Sequence, residues 1–160
     1  VYVDVDVECL NEKYFEFAHK EYSFYCGLEP LEWWKPLLIG NAILASTAGH
    51  PLMKNLISSL RKNWDIFEIT KKIPYGKHVE IADTISKTGP FYVTKEILDN
   101  ISLLGNEGII LPPTFFYPIL RTEIAQRKEY FFPETAAVHY WSADWNTESG
   151  KVVIDFSNLA

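Results

Sequence analysis

The sequence predicts an α/β domain, and three observations carry that prediction. Residues 1–8 alternate valine with polar side chains, the period-two pattern of a strand with one buried face. Residues 37–46 form an almost unbroken apolar run, and after Gly49-His50-Pro51 the residues Leu52, Met53, Leu56, Ile57, Leu60 and Trp64 recur at helical spacing. A second helical stripe, Ile97, Leu98, Ile101 and Leu104, is followed by the short apolar run 107–111. With 160 residues, 48% hydrophobic and 22% charged, the chain has the length and composition of one domain spanning 1–160 with a sizeable core.

In chain order, the first strand is expected to place Val1, Val3, Val5 and Val7 on its core face and Tyr2, Asp4, Asp6 and Glu8 on the other. Residues 14–19 read as an aromatic connector with a short helical turn, and His19 as a surface residue. Residues 21–29 read as a second strand closed by Gly27 and Pro30. Trp33 and Trp34 then fall in a loop between Pro30 and Pro36. The apolar run 37–46 is a buried strand with a close backbone approach at Gly40-Asn41. Pro51 opens a helix, and Asn41 and His50 have turn and capping chemistry. A short helix is expected over 78–87, broken by Thr88-Gly89-Pro90, and Thr94 is expected to cap the next one. Gly105-Asn106 closes that helix; residues 107–111 form a strand and 112–118 an extended loop. Residues 121–128 are polar and helical in character, 136–138 a strand, and 151–156 a final alternating strand.

Charge and cysteine content narrow the function classes. The net charge is −6, from 21 acidic and 15 basic residues, with no basic stripe, so neither nucleic acid nor an anionic membrane surface is an expected partner. Cys9 and Cys26 lack metal-ligand spacing and are expected as buried free thiols, which favours a reducing compartment. No apolar run approaches the ~20 residues that span a bilayer. The chain opens inside a strand without an initiating Met and is expected to be the later portion of a larger protein.

Chemistry concentrates in Asp4-Val5-Asp6. Two residues apart on a strand, these carboxylates lie roughly 6.5 Å apart at Cα and can converge on one object. A solvated acidic face accounts for the alternation; a hard divalent cation accounts for the convergence. An EF-hand loop starting at Asp4 fails, because Cys9 and Phe15 stand where glycine and glutamate are required. An aspartyl-nucleophile phosphatase fits Asp4 to Val7, but Asp65, Asp83, Asp99 and Asp144 lack the Gly-Asp context of that family's later acidic pair. The third possibility is the Asp-x-Asp motif of nucleotide-sugar transferases. Near the other end, His139, Ser142 and Trp145 offer an imidazole, a hydroxyl and a flat ring over one short turn; neutral imidazole is a good ligand for Mn²⁺, and a core histidine packed by two tryptophans accounts for the same residues.

Four segments in fixed order, Tyr2-Val-Asp-Val-Asp6, Asn41-Ala-Ile with Gly49-His-Pro51, Thr88-Gly-Pro90, and His139-Tyr-Trp-Ser with Trp145, together resemble the glycosyltransferase family with the Asp-x-Asp sugar-binding region. The resemblance covers residues 1 to 145. It implies a GT-A fold, here a portion lacking the half that holds base and ribose, with a mostly parallel sheet binding nucleotide at the carboxyl ends of its strands. It implies a metal-dependent retaining enzyme that moves a hexose from a UDP- or GDP-linked donor to a saccharide or glycolipid acceptor. Mn²⁺ or Mg²⁺ is the implied cofactor. Asp6 would hold the metal directly, Asp4 the ribose or the metal, and His139 the metal or diphosphate. Ser142, Trp145 and Thr88 would face the donor, and Trp33 and Trp34 the acceptor. No carboxylate is singled out as a nucleophile, so internal return is the expected route to retention. The expected location is the cytoplasm at the inner membrane face, through regions outside this chain, with the Golgi lumen as the alternative. A non-catalytic carbohydrate-binding fragment with a structural cation would keep the same aspartates.

Overall fold

The computed structural model describes residues 1–31, 37–62, 64, 87–120, 122–123 and 131–142. Their elements in chain order are β1 (Tyr2–Val3), β2 (Val7–Cys9), α1 (Glu12–Glu21), β3 (Phe24–Leu28), β4 (Ile39–Ser46), α2 (Pro51–Lys62), α3 (Pro90–Asp99), a 3₁₀ turn (Ile101–Leu104), β5 (Gly108–Leu111), α4 (Pro113–Phe116) and β6 (Ala137–His139). The class is mixed α/β, as expected. The expected strand at 151–156, the helices at 78–87 and 121–128, Trp33, Trp34 and Trp145 all lie wholly or largely outside the described residues.

Four strands form one sheet in the order β1-β4-β3-β5, and β2 pairs with β6 in a separate two-stranded sheet. Of the three pairings in the larger sheet, only β3 with β5 is parallel; β1 and β3 both run antiparallel to β4. The expectation of a mostly parallel sheet is therefore corrected. The cause lies in the short connection from β3 to β4, residues 29–38, which carries no crossover helix among its described residues and returns the chain beside itself.

The first strand is also corrected. After Val3 the chain turns, with Asp4 donating its N–H to Ala42 at 2.9 Å and accepting from Val7 N at 3.3 Å. Residues 1–10 therefore serve two sheets, and the expected alternation fails: Val1, Tyr2 and Val3 are all exposed before the turn, and only Val7 of the four valines packs against the core. Val5 is fully exposed at 103% and Val1 is 65% exposed, whereas Asp6 is buried at 9%. Cys9, expected buried, is exposed; Cys26 is a buried free thiol, and burial pushes its pKa up to about 12.

Two apolar layers flank the larger sheet. On one side Phe24, Cys26 and Ile39 pack against Leu52 and Leu56 of α2 and Tyr92, Val93 and Ile97 of α3. On the other, Tyr25, Ala42, Ile43 and Ala45 pack against Ala18 of α1, Phe116, Tyr117 and Ala137. Both helical stripes are narrower than the sequence implies, since Ile57, Trp64, Leu98 and Ile101 are exposed. The Gly89-Pro90 step comes after helical Lys87 and also starts α3: Gly89 is the N-cap and Pro90 occupies the first turn, where its missing N–H costs nothing. Thr94 consequently sits inside α3 and does not cap it. Its hydroxyl donates to Pro90 O at 2.6 Å and accepts from Ile39 N at 2.7 Å, tying α3 to the start of β4. His50 does cap, accepting Leu52 N at Nδ1 from 3.2 Å. Residues 14–19 belong to a ten-residue helix, and residues 113–116, expected extended, form α4.

Candidate metal centre

The smaller sheet builds the site. β2 and β6 pair antiparallel with Val7 opposite His139, Glu8 opposite Val138 and Cys9 opposite Ala137. The ladder continues as Tyr140 N donates to Asp6 O at 2.9 Å, which sets Asp6 across from the chain leaving His139. Tyr140 also donates its hydroxyl to Glu8, a diagonal cross-strand contact that holds the register. At the β2 end, Leu10 N and Asn11 N both donate to Ala136 O, at 2.9 and 3.1 Å. Residues 130 positions apart in sequence are thereby fixed side by side.

Asp4, Asp6 and His139 come together: one ligand atom from each lies within 4.8 Å of the other two. Nε2 of His139 is 3.3 Å from Asp6 Oδ1, and Asp6 Oδ2 accepts the backbone N–H of Ser142 at 2.8 Å. Burial works to raise the Asp6 pKa, but the hydrogen bonds from His139 and Ser142 outweigh it and hold this carboxyl well below the usual carboxylate range. Asp4 accepts the Tyr2 hydroxyl at 2.6 Å. That bond, with burial and the nearby Asp4 and Asp6 charges, pushes the Tyr2 pKa up to about 12. Asp6 is thus held as an anion beside a buried imidazole.

This donor set suits a divalent ion. Two carboxylates and one imidazole match the preferences of Mn²⁺ and related ions. Ligands opposed across an ion of this size stand about 4.2 Å apart, twice the ~2.1 Å bond, so the observed spread closes onto one with small side-chain rotations. The cluster is also incomplete as a set of protein contacts. Nδ1 of His139 is buried with no hydrogen-bond partner among the described residues.

Of the other residues expected at the site, Ser142 is present and meets Asp6 through its backbone N–H, with its buried hydroxyl a lesser hydrogen-bond partner of the same carboxylate. Thr88 is exposed at the entry to α3, in the layer on the opposite face of the larger sheet. Trp33, Trp34 and Trp145 lie outside the described residues.

Three further residues shape the site. Tyr2 anchors Asp4, and its place in the alternation puts it on the same face and signals the contact. Tyr117 meets the His139 ring edge-on, with centroids 5.8 Å apart. Nothing in the aromatic run 115–117 distinguishes it. Trp141 lies over the same imidazole at 4.4 Å, with its backbone at φ 54°. No helix among the described residues is long and apolar enough to cross a membrane.

Comparison with protein families, with characterised proteins and with solved structures finds no match to this chain. The class that the fold and the cluster define is therefore a mixed α/β protein with a candidate two-aspartate, one-histidine cation site.

Proposed function

We propose that the protein is a metal-dependent glycosyltransferase acting on a nucleotide-sugar, with Asp4, Asp6 and His139 holding Mn²⁺ or Mg²⁺. The observation that carries this reading is the convergence of Asp4, Asp6 and His139 from the two ends of the described chain. The Asp-x-Asp motif and the His139 turn, each weak alone, meet at one place. The motif order described above supplies the transferase chemistry.

In this reading a divalent cation, when bound, stabilises the charge that develops on the departing diphosphate. The chain's own residues prepare for it. Ser142 N–H fixes one Asp6 oxygen, which leaves Oδ1 to face the cluster. Tyr2 restrains Asp4 by holding its Oδ1. His139 contributes a nitrogen in a buried setting, where charge interactions are stronger than in water. Donor contacts from Trp145 and Thr88 and acceptor contacts from Trp33 and Trp34 belong to the proposal, as do retention by internal return and a hexose as the transferred group.

The test is release of nucleoside diphosphate from a panel of UDP- and GDP-sugars, with Mn²⁺, by the protein and by Asp6→Ala. The proposal expects metal-dependent release that falls at least about a hundredfold in the variant, the loss typical when a transition-state electrostatic contact is removed. Release that survives the substitution would remove Asp6 from the site. Mn²⁺ binding with no release from any donor would favour a carbohydrate-binding fragment. Hydrolysis of a phosphomonoester through a covalent Asp4 adduct would favour the aspartyl-nucleophile reading.

A further inference from the structure

A metal-bound histidine is usually oriented by a hydrogen bond from its second ring nitrogen to a carboxylate, a carbonyl or water. His139 has no such partner for Nδ1 among the described residues. Its ring is nevertheless enclosed by two aromatic rings. Tyr117 meets it at 89° with centroids 5.8 Å apart, and Trp141 at 53° and 4.4 Å. Both rings are themselves tied down. The Tyr117 hydroxyl accepts Ile43 N at 3.3 Å from β4, and Trp141 Nε1–H donates to Ile119 O at 3.0 Å.

Trp141 does a second thing. It is the one non-glycine residue among the described positions with positive φ, at 54°, in the left-handed region that a bulky aromatic residue rarely adopts. Such strain persists where surrounding contacts enforce it. Here the backbone turn lies between His139 and Ser142, the residue whose N–H reaches Asp6 Oδ2 at 2.8 Å. One residue thus contacts the His139 ring and shapes the backbone that restrains Asp6.

The geometry points to Trp141 as a positioning residue for the cation site: its ring replaces the usual hydrogen bond in orienting His139, and its left-handed backbone directs Ser142 onto Asp6. This rests on the metal reading above for its consequence, while the positioning itself is a property of the metal-free protein. Trp141 touches neither substrate nor metal in this account; it acts through His139 and Asp6.

The test is a double-substitution cycle on Mn²⁺ affinity, followed by the electron paramagnetic resonance of the free ion. Trp141→Leu is expected to weaken Mn²⁺ binding about tenfold, and Trp141→Phe, which keeps a flat ring, to lose less. In a His139→Ala background the Trp141→Leu loss should shrink to that part carried by Asp6, because coupled residues are not additive. An equal loss in both backgrounds, or a Phe variant as weak as Leu, would overturn the assignment. The metal-free protein gives an independent reading by NMR. Nuclear Overhauser contacts from the His139 ring protons to the aromatic protons of residue 141 are expected in the native protein and, weaker and to the phenyl ring, in Trp141→Phe; their absence from the native protein overturns the positioning. Those contacts together with no Mn²⁺ binding would leave the positioning intact and remove the metal reading. Should Trp141→Leu fail to fold, the Phe variant carries both comparisons.

Discussion

Asp6 shows how a single buried carboxylate is kept charged. Burial opposes ionisation, and the His139 and Ser142 donors more than offset it, so its folded pKa lies below that of an unfolded aspartate, about 3.9. A carboxyl with a depressed folded pKa contributes stability that is fully present above the unfolded pKa and is lost as pH falls through the folded one. The melting temperature should therefore drop on acidification below about pH 4, and Asp6→Asn should flatten that part of the curve. Thermal melts of both proteins from pH 6 to pH 2 check this; a variant as acid-sensitive as the native chain would place the titrating group elsewhere. Sequence alone picked out Asp4, Asp6 and His139 as ligand types but had Asp6 on an exposed acidic face. Alternation along residues 1–8 could not reveal a turn after Val3, because that turn is held by Ala42, far along the chain.

At the scale of elements, the contact between β4 and the segment after α4 links the larger sheet to the site. Gly40 lies against the Tyr117 ring, and a Cβ there would collide with Tyr117 Cε2 at 2.8 Å and more closely with the phenol end. Tyr117 is fully buried and cannot swing away. Gly40→Ala should cost about 2 kcal/mol through overpacking, read from the midpoint of urea unfolding. Because Tyr117 also borders His139, the same variant should weaken Mn²⁺ binding; an unchanged midpoint would mean that the ring yields easily. The close approach at Gly40 was legible, since a glycine inside an otherwise apolar strand signals one. Its partner was not, because the run 115–117 offers three aromatic residues and only the register with Ile43 selects Tyr117. Similarly, Gly89-Pro90 reads as the end of a helix, while its second role as the start of α3 shows only in the structure, where the Thr94 bond to Ile39 N ties that helix to β4.

For the whole molecule, the alternation of strand and helix was enough to identify a mixed α/β class. The direction of strand pairing was not, because β3 and β4 are joined within the larger sheet by a segment too short to reveal from composition whether it crosses over or turns back. The two-sheet division was equally hidden: it depends on β2 finding β6 across most of the chain, a pairing of high sequence separation that local pattern does not encode. That same pairing assembles the candidate centre from the two ends of the described chain. A fold that places two aspartates and a histidine together in this way makes cation binding the central claim.

The most direct check is a calorimetric Mn²⁺ titration of the protein, alone and with UDP or GDP, beside Asp6→Ala and His139→Ala. The account predicts one Mn²⁺ per chain, tighter with one of the two diphosphates, and at least tenfold weaker in either variant. Binding of equal strength in all three proteins, or no binding by the native protein even with nucleotide present, would contradict it.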